Sequence, residues 1–375
     1  MRIAVNCRLL LKDRMEGIAV FTWEVCRRMA ESHPEDEFIF FFDRKPSPKF
    51  HSLENITPVV LSPQARHPIL WKMWFEKSLS KALIKYDIDV LFSPEFYLSK
   101  TSDISTVIVV HDLGFLKYPE TYKSAHLDYF KKEVPLFLNK ADHIIAVTLF
   151  TKNEIKSAYN IDEQKISIVG NAPRHIFKKL NAPSQFEVRN TITNGHPYIL
   201  YLGSIHPRKN LIQLIQAFNL FKKENNNQHK LVMYGRWAFK NKSLKKVIAE
   251  SLFKSDIIFC GDKDIAVEKA VASATCLVYP SLYEGFGIPI IEAMACGIPV
   301  ITSDRGAMKE VGGEAAVFIN PENPEDIKDA LQKLCSEDDV NSEKLVNHAQ
   351  HYSWDDSATK VYAILEKIAT KQLNN

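Results

Sequence analysis

A chain of 375 residues is long for one domain and sufficient for two. Its 48 Lys/Arg and 45 Asp/Glu leave a net charge of +3, too small for a general nucleic-acid binder, and 46% hydrophobic with 25% charged residues is an ordinary globular balance. No apolar run approaches the roughly 18 residues of a bilayer span, MRIAVN reads as a first strand rather than a secretory leader, and six scattered cysteines without a C-x-x-C pair fit a reduced, cytoplasmic compartment.

Short Val/Ile-rich runs alternate with longer amphipathic stretches. Arg2–Asn6, Glu37–Phe42, Asp89–Ser93, Thr106–His111, His143–Thr148 and Lys165–Gly170 read as strands covered on both faces, as in a parallel α/β sheet. Between about Asn171 and His196, prolines, asparagines and Gly195 break the periodicity. A second set then follows: Tyr198–Gly203, Lys230–Gly235, Asp256–Gly261, Cys276–Ser281, Pro299–Asp304 and Ala315–Asn320. Leu211–Lys223 and Pro324–Cys335 have helical spacing, and the last amphipathic helix begins at Trp354. Two strand sets predict an α/β protein of two Rossmann-like, doubly wound domains facing across a cleft. The predicted divisions are 1–175, 176–353 and a C-terminal helix, 354–375, that crosses back to the first domain.

Ligands of open α/β sheets bind beyond the carboxyl ends of strands, so residues just after strands carry the functional information. The densest segment is YPSLYEGFGIPIIEAMACGIPVITSD, Tyr279 to Asp304. Glu284 and Glu292 stand eight residues apart, Gly285-Phe286-Gly287 marks a tight turn, and Pro289 suits the first turn of a helix. Free amides at a helix start bind anions, and a carboxylate accepts from paired hydroxyls. The bland alternative is a capping Glu284 and a solvated Glu292.

YILYLGSIHPRKNL, Tyr198 to Leu211, reads as a strand, a loop with adjacent cations Arg208 and Lys209, and a helix. Cations are unfavourable at a helix N-terminus unless an anion is present, which favours an anion-binding role over a surface one. VIVVHDLGFLKYP places His111 and Asp112 at the end of a buried strand, and Glu16-Gly17-Ile18 forms a turn after the first strand.

These segments resemble glycosyltransferase family 4, and the likeness extends over nearly the whole chain. The resemblance implies the GT-B fold and transfer of a hexosyl group from a nucleotide-sugar with retention of configuration and without a metal or other cofactor. It implies that Glu284 meets donor-sugar hydroxyls, Glu292 holds the ribose, the amides of Phe286 and Gly287 hold the sugar, and those near Ile288 hold the phosphate. Lys209 falls on the phosphate-binding lysine. Where many members carry Arg after the strand's Leu-Gly, this chain has Ser204, so either Arg208 supplies the cation or Ser204 gives a hydroxyl contact. His111 falls on the histidine near the reaction centre, Gly17 on the loop approaching the donor phosphates, and Gly261 on the loop touching the base.

YLGSIHPRKN and YEGFGIPIIEAMACG also resemble bacterial surface-polysaccharide mannosyltransferases, which makes mannose from GDP-mannose the first choice of donor and a glycan or lipid-linked molecule the acceptor. Other readings are a nucleotide-sugar epimerase of similar fold and a non-catalytic two-domain sugar-binding protein. Asp87-Ile-Asp89 and Asp262-Lys-Asp264 spell D-x-D, which is common by chance, and no zinc, P-loop or dinucleotide motif is present. Trp74, Lys77, Lys81 and Lys85 lie along one helical stripe, read either as a solvated face or as a peripheral contact with the anionic inner face of the cytoplasmic membrane.

Overall fold

A computed structural model of the chain describes residues 1–11, 15–225, 227–239, 242–261, 263–336 and 341–373. It divides into two compact units, Met1–Asn171 with Ser353–Asn375, and Ala172–Tyr352.

Among its described residues the first unit holds seven parallel strands: β1 (Arg2–Asn6), β2 (Glu37–Phe42), β3 (Ile56–Val60), β4 (Val90–Ser93), β5 (Thr106–Val110), β6 (His143–Ala146) and β7 (Ile166–Ile168), in the spatial order β3-β2-β1-β4-β5-β6-β7. Six match the runs read from sequence. The seventh, β3, was absent from that reading: Pro58 sits inside it, and only Ile56 of its five residues is buried. A proline is tolerated there because β3 is an edge strand. The central strands β4 and β5 are buried throughout, as continuous apolar runs require.

The described residues of the second unit form six parallel strands: β8 (Tyr198–Leu202), β9 (Lys230–Tyr234), β10 (Ile257–Cys260), β11 (Cys276–Tyr279), β12 (Val300–Ser303) and β13 (Val317–Ile319), ordered β10-β9-β8-β11-β12-β13. Each sheet winds outward from its first strand in one direction and then in the other. The chain reverses between β1 and β4 in one sheet and between β8 and β11 in the other. Those two switch points are where side chains beyond the strand ends can surround a ligand.

The last helix, Trp354–Leu373, packs on the helix Gly17–Ser32 and on β4 and β5, within the first unit. Ser353 caps it, its Oγ accepting from the Asp356 amide at 3.2 Å. Trp354, Val361, Leu365 and Ala369 are buried, Ile364 and Ile368 are half-buried, and Ala363 is exposed. Arg28 donates to Asp355 at 2.6 Å, and the Tyr362 hydroxyl donates to Asp36 at 2.7 Å. All six cysteines are free thiols, and among the described residues no helix is long and apolar enough to cross a membrane.

Candidate functional site

At the switch point of the second sheet, the loop after β8 meets the loop after β11. Gly203 leaves β8 with a φ of +146°, and Gly235 leaves β9 with a φ of +150°. The two backbones touch: a Cβ on Gly235 would stand 2.0 Å from the Gly203 carbonyl oxygen. Only glycine fits that approach. The turn Pro207–Lys209 follows, with the His206 ring accepting from the Arg208 amide at 3.3 Å and Asn210 in the left-handed region. The helix Leu211–Asn225 then begins.

The loop after β11 is tied to this turn by the Leu282 amide, which donates to the Arg208 carbonyl at 2.8 Å. It is braced from beneath by β12, where the Thr302 and Ser303 hydroxyls donate to the carbonyls of Tyr279 and Ser281 at 2.9 and 2.6 Å. Gly287, at φ +94°, turns the chain into the helix Ile288–Ala295.

These loops bring together residues distant in sequence. The Lys209 ammonium pairs with the Glu284 carboxylate and donates to the Tyr279 hydroxyl at 2.7 Å, lying 4.9 Å from the centre of that ring. Burial raises the Tyr279 phenol well above its ordinary range, with Glu284 adding to the rise. Tyr279 therefore stays protonated, its hydroxyl oxygen accepting from Lys209. The Arg208 guanidinium lies 5.9 Å from the centre of the Tyr283 ring. Ser204 is half-buried, with its carbonyl accepting from the Tyr201 hydroxyl at 2.8 Å.

Phe286 is buried edge-on against Tyr352, their ring centres 5.7 Å apart, and Ile288 is half-buried at the helix start. Glu292 is buried rather than solvated, and Arg174 donates to its Oε1 through Nε at 2.8 Å. Sequence reading missed Arg174, which lies in the unperiodic stretch between the strand sets. Gly261 begins the loop after β10, its amide donating to the Asp264 carboxylate at 2.8 Å; Asp262 lies outside the described residues.

In the first unit His111 follows β5. Its Nε2 lies 2.9 Å from the Pro94 carbonyl oxygen. A carbonyl only accepts, so Nε2 carries the proton and Nδ1 keeps the lone pair. The ring meets Phe21 edge-on, and burial lowers its pKa, which makes neutral imidazole the resting form. Asp112 accepts from the Gly114 amide at 2.8 Å, shaping the turn after the strand. Gly17 starts the helix Gly17–Ser32, and a Cβ added there meets nothing within 4 Å, so the fold itself does not require glycine.

The switch point of the first sheet holds a buried charge pair that sequence reading also missed. Beyond β1 and β4, Arg8 donates to Glu95 at 2.6 and 3.1 Å, and Asn6 donates to Glu95 at 2.8 Å and to Ser93 at 3.0 Å. The Arg8 guanidinium lies over the rings of Trp71 and Tyr97. A lone Arg and a lone Glu 87 residues apart give no sequence signal; only the parallel pairing of β1 with β4 unites them.

Asp87 and Asp89 sit at the other end of that sheet. Asp87 accepts from the Arg2 guanidinium at 2.9 Å, and Asp89 from the Arg2 amide at 2.7 Å. They anchor the start of β1, at the amino edge and away from the switch point. Trp74 is wholly buried, with its indole N–H donating to the Leu61 carbonyl at 3.1 Å, so it does not belong to the surface stripe read from sequence. The exposed face there carries Ile69, Met73 and Ile84 among Lys72, Lys77, Lys81 and Lys85.

Two family models match the chain: Glycosyltransferase Family 4 over residues 15–172 and Glycosyl transferases group 1 over residues 184–352. Among its relatives is O-antigen chain mannosyltransferase B of Escherichia coli, 25% identical over 93% of this chain and 96% of that protein. Another is O-antigen chain mannosyltransferase RfbU of Salmonella typhimurium, 26% identical over 81% of each. In fold the chain is similar to sucrose-phosphate synthase from Thermosynechococcus elongatus, with a TM-score of 0.78 and 16% identity over 99% of each chain.

Proposed function

With the chain belonging to the family 4 glycosyltransferases of GT-B fold, we propose that it moves a mannosyl residue from GDP-mannose, with retention and without a metal, onto a glycan or lipid-linked acceptor in surface-polysaccharide assembly. The observation that carries this reading is the convergence of Lys209, Glu284 and the Gly287–Ile288 turn at the switch point of the second sheet. The two relatives named O-antigen mannosyltransferases support the choice of sugar and setting.

In this reading Lys209 and Arg208 neutralise the diphosphate as it departs, and Glu284 meets hydroxyls of the sugar. Amides around Phe286 and Gly287 hold the sugar's hydroxyls, and those near Ile288 add dipoles directed at the departing phosphate. The bond from the sugar's anomeric carbon to phosphate oxygen breaks, and its electron pair leaves with GDP. The acceptor oxygen bonds to that carbon on the same face, and its proton passes to the departing phosphate. Glu292 holds the ribose, and the Gly261 loop lies against the base. The family resemblance assigns a sugar contact to His111, a neutral imidazole, and close backbone approach to the donor phosphates to Gly17.

The basic face bearing Ile69, Met73 and Ile84 would let the chain rest on an anionic membrane surface. Co-sedimentation with phosphatidylglycerol vesicles but not phosphatidylcholine vesicles supports that contact. Equal behaviour with both refutes it.

Donor choice is tested by thermal shift against GDP-mannose, UDP-glucose and dTDP-glucose. Native-state binding raises apparent stability according to affinity, so GDP-mannose should raise Tm most. A larger shift with a uridine or thymidine sugar would replace the proposed donor.

A further inference from the structure

We propose that Arg174 is a positioning residue that holds the Glu292 carboxylate in place for the ribose hydroxyls of the bound nucleoside diphosphate. The inference rests on the ribose role proposed above for Glu292.

Glu292 is the fifth of the eight residues in the helix Ile288–Ala295. A helical side chain leans toward the helix N-terminus, which points this carboxylate at the Gly287 turn and the proposed donor site. The residue is only 3% exposed. A carboxylate so placed loses its hydration and prefers to take up a proton. Burial does raise the Glu292 carboxyl above its ordinary range, and Arg174 opposes that rise. A carboxylate gripping two adjacent hydroxyls must accept from both, which the ionised form does with either oxygen.

Arg174 is itself held in place. Its carbonyl accepts from the Phe177 amide at 3.0 Å, closing a turn, and its guanidinium packs on the buried Phe177 ring at 4.8 Å. The contact with Glu292 runs from Nε to Oε1 at 2.8 Å. A carboxylate offers about four lone-pair sites, so this contact fixes its orientation while leaving capacity for ligand hydroxyls. As a stability device, a mostly buried ion pair contributes little over apolar packing. A pair at the edge of a ligand site has a clearer use in orienting an acceptor group.

The test reads ribose recognition separately from phosphate binding. Affinities for GDP and 2′,3′-dideoxy-GDP are measured calorimetrically for the unaltered protein, Arg174→Ala, Arg174→Lys and Glu292→Gln, with UDP and dideoxy-UDP in parallel. The unaltered protein should prefer the ribonucleotide by about tenfold or more, the scale of hydrogen bonds to a charged group. Arg174→Ala should collapse that preference to about twofold while leaving dideoxy affinity unchanged, and Arg174→Lys should restore part of it. If Arg174→Ala weakens both ligands equally, or Arg174→Ala and Arg174→Lys keep the full preference while Glu292→Gln loses it, Arg174 does not position the carboxylate. If Glu292→Gln keeps the full preference, the ribose role of Glu292 itself fails, whatever Arg174 does.

Discussion

Lys209 and Glu284 form an ion pair across 75 residues of sequence, with side chains only 12% and 11% exposed. Removing one partner strands the other's charge in a corner from which water is largely excluded. Breaking such a pair costs on the order of 3–5 kcal/mol when fully buried, and less with the remaining exposure. The pair thus couples the proposed leaving-group cation to the proposed sugar-binding carboxylate, and neither can be altered alone without stability consequences.

Lys209→Ala should therefore lower Tm, and the double variant Lys209→Ala/Glu284→Ala should lower it by less than the sum of the two single changes. In steady-state assays Lys209→Ala should reduce kcat by about 10²–10³ with a smaller change in KM, because diphosphate charge grows in the transition state. An effect confined to KM would contradict the leaving-group role.

Three glycines separate the needs of the fold from those of a ligand. Gly235→Ala drives a Cβ to 2.0 Å from the Gly203 carbonyl oxygen, and Gly287→Ala places one at φ +94° and 3.0 Å from Ile290 Cδ1. Both should lower Tm, Gly235→Ala more. Gly17→Ala meets nothing within 4 Å and should leave Tm unchanged while weakening donor turnover. A Tm loss for Gly17→Ala, or full activity in it, would remove Gly17 from the proposed site.

His111 predicts a pH effect on stability. Its pKa is lowered by burial, so the unfolded chain, near 6.5, binds the proton first. Stability from this group is present above the unfolded value and is lost as pH falls from about 6.5 toward the lower folded pKa. Measured Tm between pH 7.5 and 5 should fall less steeply for His111→Gln than for the unaltered protein. Parallel curves would mean that the fold does not hold His111 as neutral imidazole.

Much of the fold was legible because parallel strands covered on both faces leave continuous apolar runs, such as TVIVV and YILYL. β3 was not legible: with Pro58 inside and one buried residue it carries no strand pattern, and its position at the sheet edge is a tertiary fact. In the candidate site, the Lys209 turn and the Glu284 loop stood out as local motifs. Their pairing did not, nor did Arg174 or the Arg8–Glu95 pair, because each joins segments that meet only in the folded chain. Trp74 shows the converse error. Helical spacing set it beside exposed lysines, but its ring fills the core of the first unit.

The central claim, retaining transfer from a nucleotide-sugar by the site around Lys209 and Glu284, is tested most directly by following the anomeric proton of the product by NMR. The purified chain is given GDP-mannose, whose sugar is α-linked, a mannose-terminated acceptor and excess EDTA. The account predicts an α-linked mannosyl product that forms only with acceptor present and is nearly abolished in Lys209→Ala. A β-linked product, a strict requirement for added Mg²⁺ or Mn²⁺, or an altered free sugar released without acceptor would contradict it.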